Sequence, residues 1–361
     1  MNDSLENLRN EVDSIDRSLV DLLNRRAEVA QRIGHIKSKS GASIYDPTRE
    51  EIVYERVGQL NKGPLDPRSI RAIYREIISA AKALEGPTRI AYLGPQASFT
   101  QQAAMGCFGS SMEYMAVPTI PEIFSLVENR RVHHGVIPIE NSTDGIVRHS
   151  LDMLVNSDLY IVNQVYLNIE HCLMSRSSLD KVRVVCSKDQ ALGQCREWLK
   201  TNLPNANQKE VESTSLAVLM ASKEDGVAAI GSRVASNLYG VPILAEGIQD
   251  KSDNVTRFLV IGKEPTAPLG EGRDRTSIVV SLVDRVGALE YTLNAFSENG
   301  INLCKIESRP TRRKSWDYYF FIDFIGHYQD LQVKKVMQSL SAHSPFVKWL
   351  GSYPNTQLAG S

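Results

Sequence analysis

Leu5, Leu8, Val12, Ile15, Leu19, Leu22 and Leu23 recur at spacings of three and four, the period of one face of an α-helix. The pattern runs on through Val29, Ile33 and Ile36 without a proline. It predicts one helix of more than 30 residues, well beyond the ~10–14 residues usual in globular proteins. Asp46 followed by Pro47, and Asp66 followed by Pro67, each read as a helix cap with proline in the first turn. The second pair opens a helix whose apolar face is Ile70, Ile73, Ile77, Ile78 and Ala81. The first 85 or so positions therefore predict one very long helix and two shorter ones.

From 88 to 263 the period alternates between two and 3.6. Predicted strands are Arg89–Leu93, Gly135–Ile139, Val182–Cys186, Val227–Ile230 and Phe258–Ile261, with helices such as Pro121–Asn129 and Ser213–Ser222 between them. This is an α/β pattern with a mostly parallel sheet, in which the chain crosses between lobes near Tyr166 and near Gly240. Residues 263–275 are a linker rich in proline, glycine and charge. Residues 276–353 read β-α-β-β-α-β, a ferredoxin-like order, followed by a frayed tail.

Composition adds exclusions. Apolar content of 42% and charged content of 23% are those of a globular protein that buries a core. A net charge of −1 gives no general electrostatic case for nucleic acid or anionic membrane. No apolar run approaches the ~20 residues of a membrane span, and the polar start is not a secretory leader. Five scattered cysteines suit reduced thiols and a cytoplasmic setting. Seven histidines show no ligand spacing, so no metal and no cofactor is expected.

The long helix carries Arg9, Arg26 and Lys37. Arg26 and Lys37 lie within roughly 20° of one another around the axis and about 16 Å apart along it. Arg9 lies about 26 Å from Arg26, so a site using all three must take Arg9 from a second copy. The second helix adds Arg49 and Glu50, and the third ends on Glu85. In these positions the segment resembles the all-helical chorismate mutase domain, in which two three-helix chains intertwine. The resemblance implies that Arg9, Arg26, Lys37, Asp46, Arg49, Glu50 and Glu85 bind chorismate. Its conversion to prephenate is pericyclic and needs neither nucleophile nor metal. Arginine forks would hold the carboxylates; Lys37 would donate to the ether oxygen, by positioning and electrostatics. Glu85 stands where many relatives carry glutamine. It can donate only when protonated, so mutase activity is expected to favour low pH. The other reading of these cations is a solvated face on a dimerisation arm.

In the second segment polar clusters head the helices: GPQASFT (94–100), PIENSTDGIV (138–147), Gln194, Ser213-Thr214-Ser215, AAIGS (228–232) and DNVTRF (253–258). Each alone reads as an N-cap. Together, at the carboxyl ends of strands, they outline an anion-binding crevice. With DNVTRF above all, the segment resembles prephenate dehydratase, which implies a two-lobed fold like that of periplasmic binding proteins. It also implies that prephenate loses carbon dioxide and a ring hydroxyl to give phenylpyruvate. Thr256 is then expected to donate to the leaving oxygen and Arg257 to anchor a carboxylate. Ser98, Thr100, Glu140, Asn141, Ser142, Gln194, Ser213, Thr214, Asn254 and Phe258 would surround the substrate. Ala97 replaces a family glycine, at a small expected cost. His171 is read as a structural hydrogen-bonder.

VGALEYTLNAFSENGINLCKIESRP (286–310) resembles an ACT regulatory domain, here with Val286 where the family often has proline. In the dehydratases such domains pair and bind phenylalanine. The resemblance places that ligand at Gly287, Ala288, Leu289, Asn302, Leu303, Glu307, Ser308, Arg309 and Pro310, with a bare dimerisation module as the alternative. The three blocks follow the order of the bifunctional chorismate mutase–prephenate dehydratases, with expected domains 1–87, 88–264 and 275–353. They imply chorismate and prephenate as substrates, phenylalanine as effector, and a homodimer or homotetramer. Two other readings stand beside this one: a dehydratase with a non-catalytic helical arm, and a non-enzymatic small-molecule receptor fused to a sensor.

Overall fold

The structure is a computed structural model and describes residues 4–40, 45–270, 272–282, 285–310 and 318–356. The tail expected after the last strand lies outside the described residues from 357 onward. In chain order the elements are α1 (Leu5–Ser40), α2 (Pro47–Leu60), α3 (Pro67–Ala83), β1 (Arg89–Leu93), α4 (Phe99–Phe108), β2 (Glu113–Val117), α5 (Ile120–Glu128), β3 (His134–Asn141), β4 (Gly145–Ile146), α6 (Arg148–Asn156) and β5 (Tyr160–Asn168). There follow β6 (Cys172–Ser175), β7 (Val184–Ser187), α7 (Asp189–Gln194), α8 (Arg196–Asn202), β8 (Asn207–Glu210), α9 (Thr214–Ala221), β9 (Val227–Gly231), α10 (Arg233–Tyr239), β10 (Ile243–Ala245) and β11 (Val255–Gly262). The last are β12 (Asp274–Leu282), α11 (Ala288–Ser297), β13 (Leu303–Pro310), β14 (Tyr318–Ile325), α12 (Leu331–His343) and β15 (Phe346–Pro354).

The chain divides into two compact units, Met1–Thr88 with Phe108–Glu113, and the remainder. In the first, both predicted caps form. Asp46 accepts from the Arg49 backbone N–H and Asp66 from that of Arg68, each with proline in the first turn. Helix α1 is 36 residues long. Along its first half Leu5, Leu8, Val12, Ile15 and Leu19 are all exposed, so the stripe that predicted the helix is not covered within this chain.

The second unit contains two lobes and a third layer. One lobe is the sheet β2-β1-β3-β11-β5, with β4 paired to β3; the other is β10-β6-β9-β7-β8. The sheets are mixed rather than mostly parallel. Strands β1 and β3 are parallel, as are β7 with β8 and with β9, but β11 runs antiparallel to both β3 and β5. The reason is the path between lobes. Strand β5 carries the chain out and β11 carries it back beside it, so the two oppose. The crossings fall at 169–171 and 246–254. The second is therefore not near Gly240, whose φ of 65° instead ends α10. Strand β9 is buried at every position, the mark of a central strand covered on both faces. Strands β2 and β8 are edge strands, and β8 is exposed throughout; neither carries an apolar alternation to announce it.

The C-terminal sheet has the order β13-β14-β12-β15 and is antiparallel throughout, as the ferredoxin-like reading expected. Alternation along its strands serves two cores. Ile278, Val280, Ile322 and Phe324 pack under α11 and α12. Val279, Phe321, Leu350 and Tyr353 join the core of the β11-containing lobe. This sheet is thus built onto the back of that lobe.

Candidate active sites

In the helical unit, Arg26 and Lys37 are half-buried on α1 and Arg9 is exposed near its start. Glu85 follows α3 and lies against Gly34. A Cβ added at Gly34 would meet the Glu85 carboxyl group at 2.5 Å. Burial raises the Glu85 pKa, and the positive charges of Lys37 and then Lys82 pull it back. Lys37 and Glu85 are therefore close enough for the lysine's charge to act on the carboxyl group. Asp46 is occupied as a helix cap, and Arg49 is exposed. Glu50 accepts a hydrogen bond from Lys82, whose ammonium also sits 4.6 Å from the centre of the Tyr45 ring. Lys82 is buried. Its position on α3 gave it no distinction in sequence from a solvated lysine.

The two lobes of the second unit enclose a cleft of about 310 Å³. Ser98, Thr100, Asn141, Gln194, Ser213, Thr214, Thr256 and Phe258 line it, along with His171, Lys188, Gln190 and Glu212. The helix-head reading of these residues also holds: Ser213 caps α9 by accepting from the Leu216 N–H, and Ser232 caps α10. One chain of bonds crosses the cleft. Asn141 Nδ2 donates to Thr256 Oγ1 and to Asn254 Oδ1, both at 2.7 Å. Asn254 Nδ2 donates to Gln194 Oε1 at 3.0 Å, and Gln194 Nε2 donates to Asp144 at 2.6 Å. That fixes the Gln194 amide, so its Oε1, 2.8 Å from His171 Nε2, must accept from a protonated Nε2. Burial holds the His171 pKa low, which leaves a neutral imidazole in a supporting role. Asn141 itself is oriented by the backbone N–H groups of Thr143 and Asp144, which donate to its Oδ1. Since Thr256 Oγ1 accepts a hydrogen bond from Asn141, its own O–H is directed elsewhere as a donor.

Four of the predicted residues do not line this cleft: Glu140, Ser142, Asn254 and Arg257. Arg257 and Glu140 lie on the opposite side of β11 and β3. Successive strand residues face opposite ways, so Thr256 and Phe258 front the cleft while Arg257 faces the C-terminal sheet. There Arg257 is 3% exposed and its Nη1 lies 2.7 Å from Asp323. Glu140 meets Lys305 and Arg257. The carboxylate anchor expected of Arg257 is thus already taken up within the protein. Among the described residues lining the cleft, Lys188 is the one lysine or arginine. It is an exposed residue just before α7, and a single lysine after Ser187 carries no signal in sequence. Ser142 bonds to the 253–255 backbone, and Asn254 is buried and reaches the cleft only through its bonds to Asn141 and Gln194. Ala97, 1% exposed, adopts a φ of 61°, in the left-handed region that costs a side-chain-bearing residue about 1 kcal/mol. The glycine it replaces is therefore not a neutral exchange.

In the C-terminal domain Gly287 has a φ of 82°, and a Cβ placed there would meet nothing within 4 Å beyond its immediate chain neighbours, so conformation rather than crowding requires glycine. Val286 and Leu289 are exposed, as are Asn302, Ser308 and Pro310, while Ala288, Leu303 and Glu307 are half-buried. Glu307 and Arg309 share the face of β13 turned toward the β11-containing lobe, where Glu307 lines a small cavity with Arg257 and Asp323 and Arg309 pairs with Asp152 at 3.0 Å. No described helix is long and apolar enough to cross a membrane.

A cleft of hydroxyls and amides between two lobes, mounted on a ferredoxin-like layer, in a chain that also carries a helical unit, is the build of a modular small-molecule enzyme or receptor. Family profiles match in the same order: chorismate mutase type II at 8–86, prephenate dehydratase at 90–266 and the ACT domain at 276–342. The bifunctional chorismate mutase/prephenate dehydratase of Aquifex aeolicus (strain VF5) is 44% identical over 361 residues, 99% of each chain. That of Neisseria gonorrhoeae is 44% identical over 97% of each. The crystal structure of prephenate dehydratase from Arthrobacter aurescens in complex with L-Phe is 32% identical, with a TM-score of 0.69 over 74% of this chain and 90% of that one. The chain belongs to the bifunctional chorismate mutase/prephenate dehydratase family. Full-length similarity to bifunctional relatives favours two enzymes over either an inert helical arm or a non-enzymatic receptor.

Proposed function

We infer that the chain converts chorismate to prephenate in its helical unit and prephenate to phenylpyruvate in its two-lobed unit, two steps of phenylalanine biosynthesis, within modules 1–87, 88–264 and 275–353. The observation that carries the second activity is the state of Thr256: a hydroxyl held as acceptor by Asn141 at 2.7 Å, and so left to donate into the cleft. Donation from Thr256 lets the ring hydroxyl leave as water while the electron pair of the breaking carbon–carboxylate bond completes the aromatic ring and carbon dioxide departs; solvent then returns a proton to Thr256. Formation of the aromatic ring drives the reaction, so no strong base is required. Ser98, Thr100, Gln194, Ser213, Thr214 and Asn254 shape and polarise the cleft, and Lys188 meets one carboxylate of the dianion.

For the first activity, Arg26 and Lys37 bind the dicarboxylate in its folded conformer, with Lys37 and protonated Glu85 at the ether oxygen. The raised Glu85 pKa supports that role. Lys82 keeps Glu50 in place behind them. Arg9 comes from a second chain, whose α1 covers the exposed stripe Leu5, Leu8, Val12, Ile15 and Leu19; a dimer is the smallest assembly with a complete site. The C-terminal domain binds phenylalanine around Gly287–Leu289, Asn302-Leu303 and Glu307–Pro310 and inhibits the pathway's own enzyme. The L-Phe complex of the Arthrobacter relative supports this. The test is to supply chorismate to the full chain and follow chorismate, prephenate and phenylpyruvate with and without phenylalanine. Both products should appear in order, and phenylalanine should suppress phenylpyruvate. Chorismate left unconsumed would remove the first activity, and prephenate accumulating without phenylpyruvate would remove the second.

A further inference from the structure

The segment that carries the cleft's hydroxyl has a second attachment behind it. Thr256 on β11 pairs with Asn141 on β3, and the adjacent Arg257 pairs with Glu140. The fronts of these two residue pairs make the Asn141–Thr256 bond; their backs meet the C-terminal sheet. Arg257 Nη1 donates to Asp323 on β14 at 2.7 Å and to Glu140 at 3.1 Å, and its Nη2 donates to the Tyr353 hydroxyl on β15 at 2.8 Å. Asp323 also accepts from Ser277 on β12 at 2.6 Å. Lys305 on β13 donates to Glu140. Arg275 on β12 reaches the Tyr166 hydroxyl on β5 at 2.9 Å. Three cations and two carboxylates thus span the join, and Arg257 and Asp323 have side chains only 4% and 11% exposed. Such a buried pair does not shift without leaving a charge uncompensated. At the same place the β11–β3 register steps by one residue, between Arg257 and Phe258.

We propose that the C-terminal domain positions the dehydratase's reacting hydroxyl from behind, with Arg257–Asp323 and Glu140–Lys305 as positioning pairs that set the Thr256–Asn141 geometry. Arg257 and Glu140 touch no substrate; they act through the residues beside them. Any rearrangement of β13 or β14 is transmitted to the cleft through two adjacent strands, one residue from the hydroxyl. This gives the sensor a short physical connection to turnover. The inference rests on the dehydratase reading of the cleft.

In the full chain, Asp323→Asn preserves volume and removes the charge, while Lys305→Met releases Glu140 at a pair 25% and 27% exposed. Asp323→Asn should lower dehydratase kcat about tenfold or more, the scale of a sub-ångström to ångström misplacement, with KM for prephenate little changed. Lys305→Met should lower it less, and Lys305→Arg should restore it. Chorismate mutase turnover, in the other compact unit, serves as the reference. Phenylalanine should still bind both variants by calorimetry but inhibit them less. A role confined to stability predicts a lower melting temperature with unchanged kcat per folded molecule. That result, a rise in KM alone, or wild-type kcat with full inhibition in either folded variant overturns the proposal. If Asp323→Asn does not fold, Lys305→Met decides. Thr256→Val separates the two readings: if it stays active, the cleft reading itself fails; if it is inactive while the rear variants match wild type, only this inference fails.

Discussion

Thr256→Val exchanges a hydroxyl for a methyl group of nearly the same size on a strand that favours β-branched residues. In the folded protein it deletes one hydrogen bond, the 2.7 Å contact from Asn141 Nδ2. Asn141 keeps its bond to Asn254, also 2.7 Å, and its two backbone donors. Asn141 is only half-buried, so water in the cleft can take the freed N–H. The stability cost should therefore be about 1 kcal/mol, the net worth of one ordinary hydrogen bond. The catalytic cost should be far larger. Loss of a positioned proton donor removes about 100- to 10,000-fold from turnover, or about 3–5 kcal/mol of barrier at ~1.4 kcal/mol per tenfold. The assay is phenylpyruvate formation from prephenate at saturating substrate, with mutase turnover in the same sample as control and urea unfolding for stability. Thr256→Ser, which keeps the hydroxyl, should recover most of the loss. A valine variant within tenfold of wild-type kcat, or a serine variant as impaired as valine, would refute the assignment.

Glu85→Gln should flatten the pH dependence of the mutase. Burial raises the Glu85 pKa, so the protonated donor is populated below that raised value and lost as pH rises through it; glutamine donates at every pH. An unchanged alkaline limb in the pH–kcat profile would reject the role. Gly34→Ala should separate stability from activity, because alanine gains about 1 kcal/mol over glycine inside a helix while its Cβ enters the space of the Glu85 carboxyl group. Thermal melting should rise or hold as mutase kcat falls; both rising together would contradict the placement of Glu85. Lys188→Met should raise KM for prephenate about fivefold with kcat little changed, since an exposed ion pair contributes up to ~1 kcal/mol. The defect should shrink in high salt as screening removes the wild-type advantage, and an effect indifferent to salt would exclude an ionic contact.

Much of this was legible in sequence because the chemistry coincides with capping and periodicity. Asp46 and Asp66 were readable since a cap needs one side chain at one offset. Helix α1 was readable since its stripe is strictly periodic, and the same stripe lies bare in a single chain. Lys82 and Lys188 were not readable, because a lysine acquires meaning only from what surrounds it. One is enclosed beside Glu50 and Tyr45, and the other is placed in the cleft by the fold of a distant lobe. Strands β2, β4, β5, β6, β8 and β10 lie outside the predicted strands: β8 because an edge tolerates polar residues on both faces, and β6 because its four buried residues, Cys172–Ser175, are too few to show a period and include no β-branched one.

The Asn254–Phe258 run shows the deeper limit. Along the chain it is one motif, and its threonine and arginine read as serving one ligand. A strand cannot do that, since its residues alternate between faces. Thr256 and Phe258 line the cleft while Arg257 and Leu259 line the small cavity behind it, beside Asp323 and Lys305. Spacing alone shows that the two sets diverge, but which set faces the substrate depends on what covers the rear of the sheet. Here that cover is the C-terminal domain, whose Asp323 requires a cation opposite it. The arginine beside Thr256 is thus explained by its neighbour in space, and the motif divides into residues that face the cleft and residues that join the C-terminal domain to the lobe.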